Sequence, residues 1–405
     1  MLLRPVSHRY LVLGLLVFLN ISYGANFTAI TPVIPLIMEH FDITRGTASL
    51  LVSVVIIMQA LFIIPGGMLV ARAPIKLIYG LGWIAAGAMV LSPLVDSFAY
   101  LVGLRAVYGL AFVVMMPAMA PILMRSFARR QLAIVNVFTL TAFTMGMGLG
   151  IFLGAPLANW IGWQDAMSLL GGVLLIGLPV WWLLARVPSV SPGTVKPITY
   201  RDMWRSMRSR TTLLLGLGDA VVFSQFLALT TWLPTFYNET MGMSLSKAGF
   251  IVGIIPMVGI LGALCGGLLS ARLGLRRPFF IGSGALVGMA GFGSFAVQNE
   301  ALIIISVVVL GLATFAYFPV LITVPMDLKG STEGSVAVTW ATMFAIANSL
   351  AVAAPISVGY MTDSLGSYIP AFSLWAVLAF GLLVVGLMLP ETGPRRNLAP
   401  QPGMD

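Results

Sequence analysis

Polar and charged positions interrupt this chain only at long intervals, and between them run apolar stretches of about 20 to 28 residues. At 1.5 Å per residue, such a stretch crosses a hydrocarbon core of roughly 30 Å with room for tilt. The pattern predicts twelve spanning helices, at 10–37, 47–70, 75–95, 99–124, 131–156, 165–185, 212–237, 247–270, 278–297, 301–326, 335–359 and 370–389. Six precede the basic stretch from Arg186 to Arg210 and six follow it.

The two sets of six are copies of one another. Gly66-Gly67-Met68-Leu69-Val70-Ala71-Arg72 returns 200 residues later as Gly266-Gly267-Leu268-Leu269-Ser270-Ala271-Arg272. At the same offset Thr31, Glu39, Thr44 and Ala48 are answered by Thr231, Glu239, Ser244 and Ala248. Farther on, Gly109 and Pro117 match Gly311 and Pro319, and Ala155-Pro156 matches Ala354-Pro355. Tandem copies in the same direction imply two bundles related by an axis along the membrane normal, an arrangement of one class of secondary transporter. The expected domains are an N-terminal six-helix bundle at 1–185, a basic cytoplasmic linker at 186–211, a C-terminal six-helix bundle at 212–390 and a cytoplasmic tail at 391–405.

Composition changes the picture only by removing alternatives. With 59% hydrophobic and 9% charged residues, 405 residues have too few charges to cover a water-soluble globule, where about a quarter would be usual. The mean hydropathy of +1.01 agrees. The charges that remain set the topology, because cytoplasmic loops retain Lys and Arg. An inside N-terminus puts nineteen of the 22 basic residues on the cytoplasmic face, leaves Arg45 and Lys247 outside, and leaves Arg105 in the membrane. Of the acids, Asp219 alone falls in the membrane. The net charge of +9 is thus a topology signal and gives no support to nucleic-acid binding. The expectation is a multi-pass protein of the cell membrane with both termini cytoplasmic, surrounded by lipid and functional as a monomer.

Enzymatic constellations are missing. One cysteine, Cys265, excludes an intramolecular disulfide and a thiolate metal site. His8 and His40 are expected at span ends too far apart to share a metal. No Ser-His-Asp set, carboxylate pair or phosphate-cradling glycine loop followed by Lys is present, so no catalysis, metal or cofactor is expected. Residues 1–29 have the basic start and apolar core of a signal peptide, but removing them would break the pairing of span 1 with span 7. Asn20-Ile21-Ser22, Asn26-Phe27-Thr28 and Asn238-Glu239-Thr240 fit the glycosylation sequon.

These marks together resemble the major facilitator superfamily over essentially the whole chain. The family's loop between spans 2 and 3 reads Gly-x-x-x-Asp-Arg-x-Gly-Arg. Here it stands as Gly67 to Arg72 with Lys76, and again as Gly267 to Arg272 with Gly274, Arg276 and Arg277. Ala71 and Ala271 replace the family's acid, a departure that bears on the charge relay by which this loop gates. Arg105 followed by Gly109 on span 4, and Gly146, Gly150, Gly154 and Pro156 on span 5, are two further marks. Trp232-Leu233-Pro234-Thr235, Gly242-Met243-Ser244 and Gly359-Tyr360-Met361-Thr362-Asp363 resemble the cyanate and nitrite porter branch more narrowly. The resemblance implies an all-α integral membrane protein whose twelve helices form the two bundles, with spans 1, 4, 7 and 10 lining a central cavity.

The candidate site residues follow from that lining. Arg105 lies about six residues inside the outer end of span 4, roughly 10 Å deep, where a charge needs water, a partner or an anion. It binds substrate, takes part in proton coupling, or braces helices through backbone carbonyls. Tyr108 and Phe112 share its face, as pocket walls or as plain packing. Tyr23 and Asn26 on span 1, Phe223 and Phe226 on span 7, and Phe315 and Phe318 on span 10 complete the expected substrate-binding set, with Tyr317 beside them. Asp219 lies nine residues beyond Arg210, about 13 Å along span 7, too deep to snorkel out. It is read either as a proton carrier or as a structural hydrogen-bonding group. Gly67, Arg72, Lys76, Gly267, Arg272, Arg276 and Arg277 are the expected gating-loop residues. Gln59, Asn136, Trp340 and Asn348 read as helix-to-helix hydrogen-bonding groups.

The function expected is alternating-access secondary transport, by symport with protons, of a small anion or small polar nitrogen compound. Two alternatives stand beside it. One is proton-exchanging efflux of hydrophobic compounds, favoured by 23 Met residues. The other is a membrane receptor or assembly subunit that keeps the fold without transport.

Overall fold

The computed structural model describes residues 5–72, 74–185, 199–328 and 333–393. Arg4, Lys329, Arg186 and Lys196 of the linker, and Arg395 and Arg396 of the tail lie outside the described residues. Within them, twelve helices are long and apolar enough to cross a membrane. Span 1 is Arg9–Phe41, span 2 Arg45–Val70, span 3 Ile75–Leu94, span 4 Phe98–Met124, span 5 Thr141–Ile161 and span 6 Trp163–Leu184. Span 7 is Arg210–Met241, span 8 Leu245–Leu273, span 9 Arg277–Ala296, span 10 Glu300–Asp327, span 11 Gly334–Leu365 and span 12 Ile369–Met388. The all-α, twelve-span architecture is the one the apolar pattern predicts.

The ends depart from prediction for identifiable reasons. Span 5 continues past Pro156 to Ile161, where Gly162 at φ 86° turns the chain. Span 11 continues past residue 359 to Leu365, before Gly366 at φ 68°. Positive φ favours glycine, which lacks the Cβ that clashes there. Proline alone does not end a helix in this environment, because neighbouring helices satisfy the backbone groups it frees. Several spans are interrupted: spans 2, 11 and 12 at Ser49, Val352 and Phe380, and span 3 by finishing as a 3-10 helix at Gly87–Leu94. The breaks in spans 1 and 10 lie beside the buried charged groups. Span 1 leaves its α-helix at Thr28 and resumes after a 3-10 turn at Thr31–Val33 that contains Pro32. Span 10 is two helices, Glu300–Ala316 and Phe318–Asp327, joined at Tyr317 and followed by Pro319.

The chain forms two compact units. The first comprises residues 1–199 with segments 230–256 and 355–367; the second comprises 200–229, 257–354 and 368–405. In the first unit spans 1 and 5 meet without intervening side chains. A Cβ on Gly146, Gly150 or Gly154 would lie 2.1, 2.2 and 2.3 Å from the carbonyl oxygens of Ile21, Ala25 and Ala29. Small residues are what allow two membrane helices this approach. Spans 2 and 4 meet in the same way, at Gly66 against the Val113 carbonyl, 2.3 Å from such a Cβ. In the second unit the repeat of that contact is Gly266 against the Ala316 carbonyl, at 1.9 Å. The duplicated Gly-Gly pair therefore marks a duplicated helix crossing, and the first glycine of each pair makes it.

The first unit also holds a polar cluster at the start of span 2. Arg45 donates from Nη2 to Glu239 Oε2 at 2.7 Å and approaches Asp363 Oδ1 at 3.5 Å. Asp363 also accepts the backbone N–H groups of Arg45 (3.3 Å) and Gly46 (2.8 Å). A carboxylate placed at a helix N-terminus satisfies donors that have no intrahelical acceptor.

Candidate functional site

Arg105 is fully buried, and the break in span 1 explains its position. The last four carbonyls of an α-helix have no intrahelical donor. At Thr28 all four are served: Ala25 by the Ala29 N–H at 2.9 Å, Asn26 and Phe27 by Arg105 Nη1 and Nη2 at 3.0 Å each, and Thr28 by the Thr31 hydroxyl at 2.9 Å. Arg105 Nε donates to the Leu51 carbonyl of span 2 at 2.8 Å. Gly109, one turn on, rests against the Val55 carbonyl of the same span. The Arg-x-x-x-Gly mark is thus a helix-bracing device in this structure, capping span 1 and docking span 4 on span 2. Its carbonyl partners satisfy hydrogen bonds without neutralising the charge, and no carboxylate pairs with Arg105 among the described residues.

Around this brace the expected first-half residues converge. Tyr108 lies beneath the guanidinium, 5.2 Å from its carbon to the ring centre, a cation–π distance. Tyr23 stacks on Tyr108 at 4.5 Å with 7° between planes. The Tyr108 hydroxyl donates to the Tyr23 carbonyl and the Tyr23 hydroxyl donates to the Tyr108 carbonyl at 3.5 Å. Tyr23 reaches a pocket that Leu19, Asn20, Phe112, Met115, Met119 and Phe143 also line. Asn20, legible in the sequence only as part of a sequon, is the pocket's amide: it donates to the Leu16 carbonyl at 2.8 Å. Asn26 turns elsewhere, donating to the carbonyls of Ser22 and Leu170 at 2.9 and 3.0 Å.

The second unit holds the buried acid. Asp219 is 4% exposed, and Tyr317 donates its phenolic hydrogen to Asp219 Oδ1 at 2.8 Å. Tyr317 was visible in the sequence as one of three aromatic residues before Pro319. Nothing in the sequence fixes which face of a broken helix its hydroxyl takes. Phe223, Phe226 and Phe315 form one aromatic run, with centroid distances of 6.4 and 5.7 Å. Phe318 stands apart from that run, tilted on Phe344 at 6.2 Å.

The residues expected to form gating loops divide by half. Lys76 donates to the Trp182 carbonyl at 2.8 Å, while Arg72 and Arg272 are exposed. Arg276 makes an ion pair with Asp327 at 2.9 Å and a hydrogen bond to Ser270 at 2.6 Å. Glu391 accepts the N–H groups of Arg276 and Arg277 at 2.8 and 3.1 Å, at the start of span 9. Arg277 donates to the carbonyls of Gly386 and Leu387, both at 2.9 Å. Asp327 and Glu391 thus supply, from elsewhere in the second unit, carboxylates that Ala271 does not. Among the described residues no group of three His, Cys, Asp or Glu side chains could hold a metal ion.

Comparison with known proteins settles the family. The profile described as Major Facilitator Superfamily matches residues 16–352. The chain belongs to the Major Facilitator Superfamily. A D-galactonate transporter of Escherichia coli is 24% identical, over 94% of this chain and 96% of the relative. A probable sulfoacetate transporter of Cupriavidus necator is 27% identical, over 94% of both. Among solved structures, a bacterial homologue of the human lysosomal transporter Spinster, crystallised inward-facing and unoccupied, matches with a TM-score of 0.76 at 18% identity. That match covers 94% of this chain and 95% of the other, and shows the shared fold. The protein is therefore a multi-pass transporter of the Major Facilitator Superfamily, and not an enzyme.

Proposed function

We propose that this superfamily member takes up a small organic acid together with protons across the cell membrane, with both termini cytoplasmic and one chain sufficient. A single pairing of observations carries the reading: among the described residues, each unit holds one buried acidic or basic side chain with no opposite charge bonded to it. Arg105 in the first unit bonds only to backbone carbonyls, and Asp219 in the second bonds to a phenol. An intramembrane charge left uncompensated by the protein is stabilised by what the transporter carries. For the cation that is an anionic cargo, and for the acid it is a proton. Arg105 acts through its field on the pocket beside Tyr23, because its own donors are engaged by spans 1 and 2.

The names of the two relatives support an organic acid as the anion, D-galactonate and sulfoacetate both being carboxylates at neutral pH. The motifs that resemble the cyanate and nitrite porter branch favour a smaller inorganic anion or a neutral nitrogen compound, so the two classes are separable by ligand. A screen of thermal stabilisation with D-galactonate, sulfoacetate, nitrite and cyanate reads this directly, since a ligand that binds only the folded state raises its stability. Stabilisation by either organic acid, weakened by Arg105→Gln, is the expected result. Stabilisation by a lipophilic cation alone would instead establish the efflux reading, which the Met115, Met116 and Met119 lining of the pocket favours. For coupling, Asp219→Asn imitates the protonated acid. Uptake driven by a pH gradient should collapse in this variant while substrate exchange at equal pH survives. Equal loss of both activities in a folded variant would make Asp219 structural.

A further inference from the structure

Span 10 is interrupted at one residue, and that residue touches the buried acid. Tyr317 belongs to neither helix of the span: it ends Glu300–Ala316 and precedes Phe318–Asp327. Pro319, two residues later, has no N–H to donate and so takes one backbone hydrogen bond from the joint. On one side Gly266 closes against the Ala316 carbonyl so tightly that no Cβ fits. On another, the Tyr317 ring lies 6.4 Å from Phe280 of span 9. Its hydroxyl ends on Asp219 of span 7.

The internal repeat supplies the control. The 200-residue offset that relates the Gly-Gly pairs carries Asp219 back to Leu19, and the offset that relates Pro117 to Pro319 carries Tyr317 back to Met115. Leu19 and Met115 line the same pocket of the first unit. The first copy therefore builds this position of the helix pairing from an aliphatic side chain and a thioether. Packing alone does not require a carboxyl and a phenol, so the polar pair in the second copy has a separate use.

We propose that Tyr317 is the positioning residue through which protonation of Asp219 acts on the joint of span 10. This rests on the reading of Asp219 as the proton carrier. With Asp219 charged, its carboxylate accepts the phenolic O–H and holds Tyr317, and with it the joint, against span 7. A proton from water converts the carboxylate to a carboxylic acid, which is itself a donor. The phenol then loses the charge-assisted acceptor that oriented it, and the joint is released; the same proton returns to water when the acid ionises. Among the described residues, Tyr317 supplies the side-chain hydrogen bond to Asp219, and the neighbouring contacts of span 7 are apolar. Gly216 meets Ile346 of span 11, and Gly218 meets Leu382 and Val385 of span 12. The charged Arg276, Arg277, Asp327 and Glu391 bond among themselves and to backbone at the inner ends of spans 9, 10 and 12. Joints of a few element-terminal residues are where such spans absorb a change of backbone angle.

The test needs only the proton as ligand. In a Cys265→Ser background, spin labels at positions 312 and 326 flank the joint within one span, and their distance is measured at acidic and alkaline pH in liposomes. Infrared difference spectra between the same pH values report the protonated carboxyl. The parent protein should show a pH-dependent change of label distance and a carboxyl band that Asp219→Asn removes. Tyr317→Phe should keep the band at a shifted frequency and lose the distance change. If Asp219→Asn removes no band, the reading of Asp219 as proton carrier is lost. If the band is removed as expected but Tyr317→Phe leaves both its frequency and the distance change intact, the role of Tyr317 alone is overturned. Should Tyr317→Phe not fold, the double variant Asp219→Leu, Tyr317→Met reproduces the pair of the first copy. It should fold with a pH-independent distance, and a surviving pH response there overturns the proposal equally.

Discussion

Arg105 shows how one side chain answers to two demands. Its fork reaches carbonyls on two spans, which the compact ammonium of lysine cannot do from one position. Hydrogen bonds from a charged donor contribute about 1.5 to 3 kcal/mol each, so losing two of the three in Arg105→Lys should lower thermal stability markedly while the charge remains. Binding measured on the folded fraction then separates the roles: sulfoacetate affinity should fall in Arg105→Lys and vanish in Arg105→Gln. Undiminished affinity in a folded Arg105→Gln would leave Arg105 as a brace only. Both intramembrane charges were legible in the sequence, because Arg105 and Asp219 interrupt apolar runs well inside their spans. Their partners were not. The carbonyls that Arg105 caps are freed by a break in another helix, and the Tyr317 hydroxyl finds Asp219 through the rotation of a broken one.

At the scale of helices, pairing is decided by glycine in preference to aliphatic complementarity, since lipid gives apolar side chains no reason to prefer protein. The two glycines of the first repeated pair make a direct comparison. A methyl on Gly66 would strike the Val113 carbonyl at 2.3 Å, whereas one on Gly67 would meet nothing within 4 Å. Gly66→Ala should therefore push spans 2 and 4 apart and lower the melting temperature of the purified protein by several degrees. Gly67→Ala should leave it unchanged or slightly higher, as alanine is the better helix former by about 1 kcal/mol. Equal effects from both would remove the crossing as the reason for the repeated pair. The duplication itself could be read from the sequence because crossings of this kind need glycine at fixed positions. The helix ends were read less well, because charged and polar residues prolong spans beyond the hydrocarbon: Asp363, placed in an outer loop by hydropathy, lies within the last helix of span 11 and bonds to the start of span 2.

For the molecule as a whole, the bilayer both simplifies the fold and orients it. Twelve spans put the two termini on one side, and Arg and Lys decide which side, since translocating them is unfavourable. The ends that carry Arg276, Arg277, Asp327 and Glu391 belong to the cytoplasmic face in this orientation, and the cluster of Arg45, Glu239 and Asp363 belongs to the opposite face. Each cluster mixes basic and acidic residues, so local pairing does not report the side; the total does, since the expected orientation puts nineteen of the 22 basic residues inside. Reporter fusions after residue 200, just before span 7, and after residue 398, beyond span 12, test the assignment at two points six spans apart. Both should report the cytoplasm. A cytoplasmic signal at 200 with an outer signal at 398 would mean that one helix of the second copy fails to cross, and outer signals at both would invert the whole protein. The second result would also reverse the side from which Asp219, about 13 Å into span 7 from Arg210, is nearest to water.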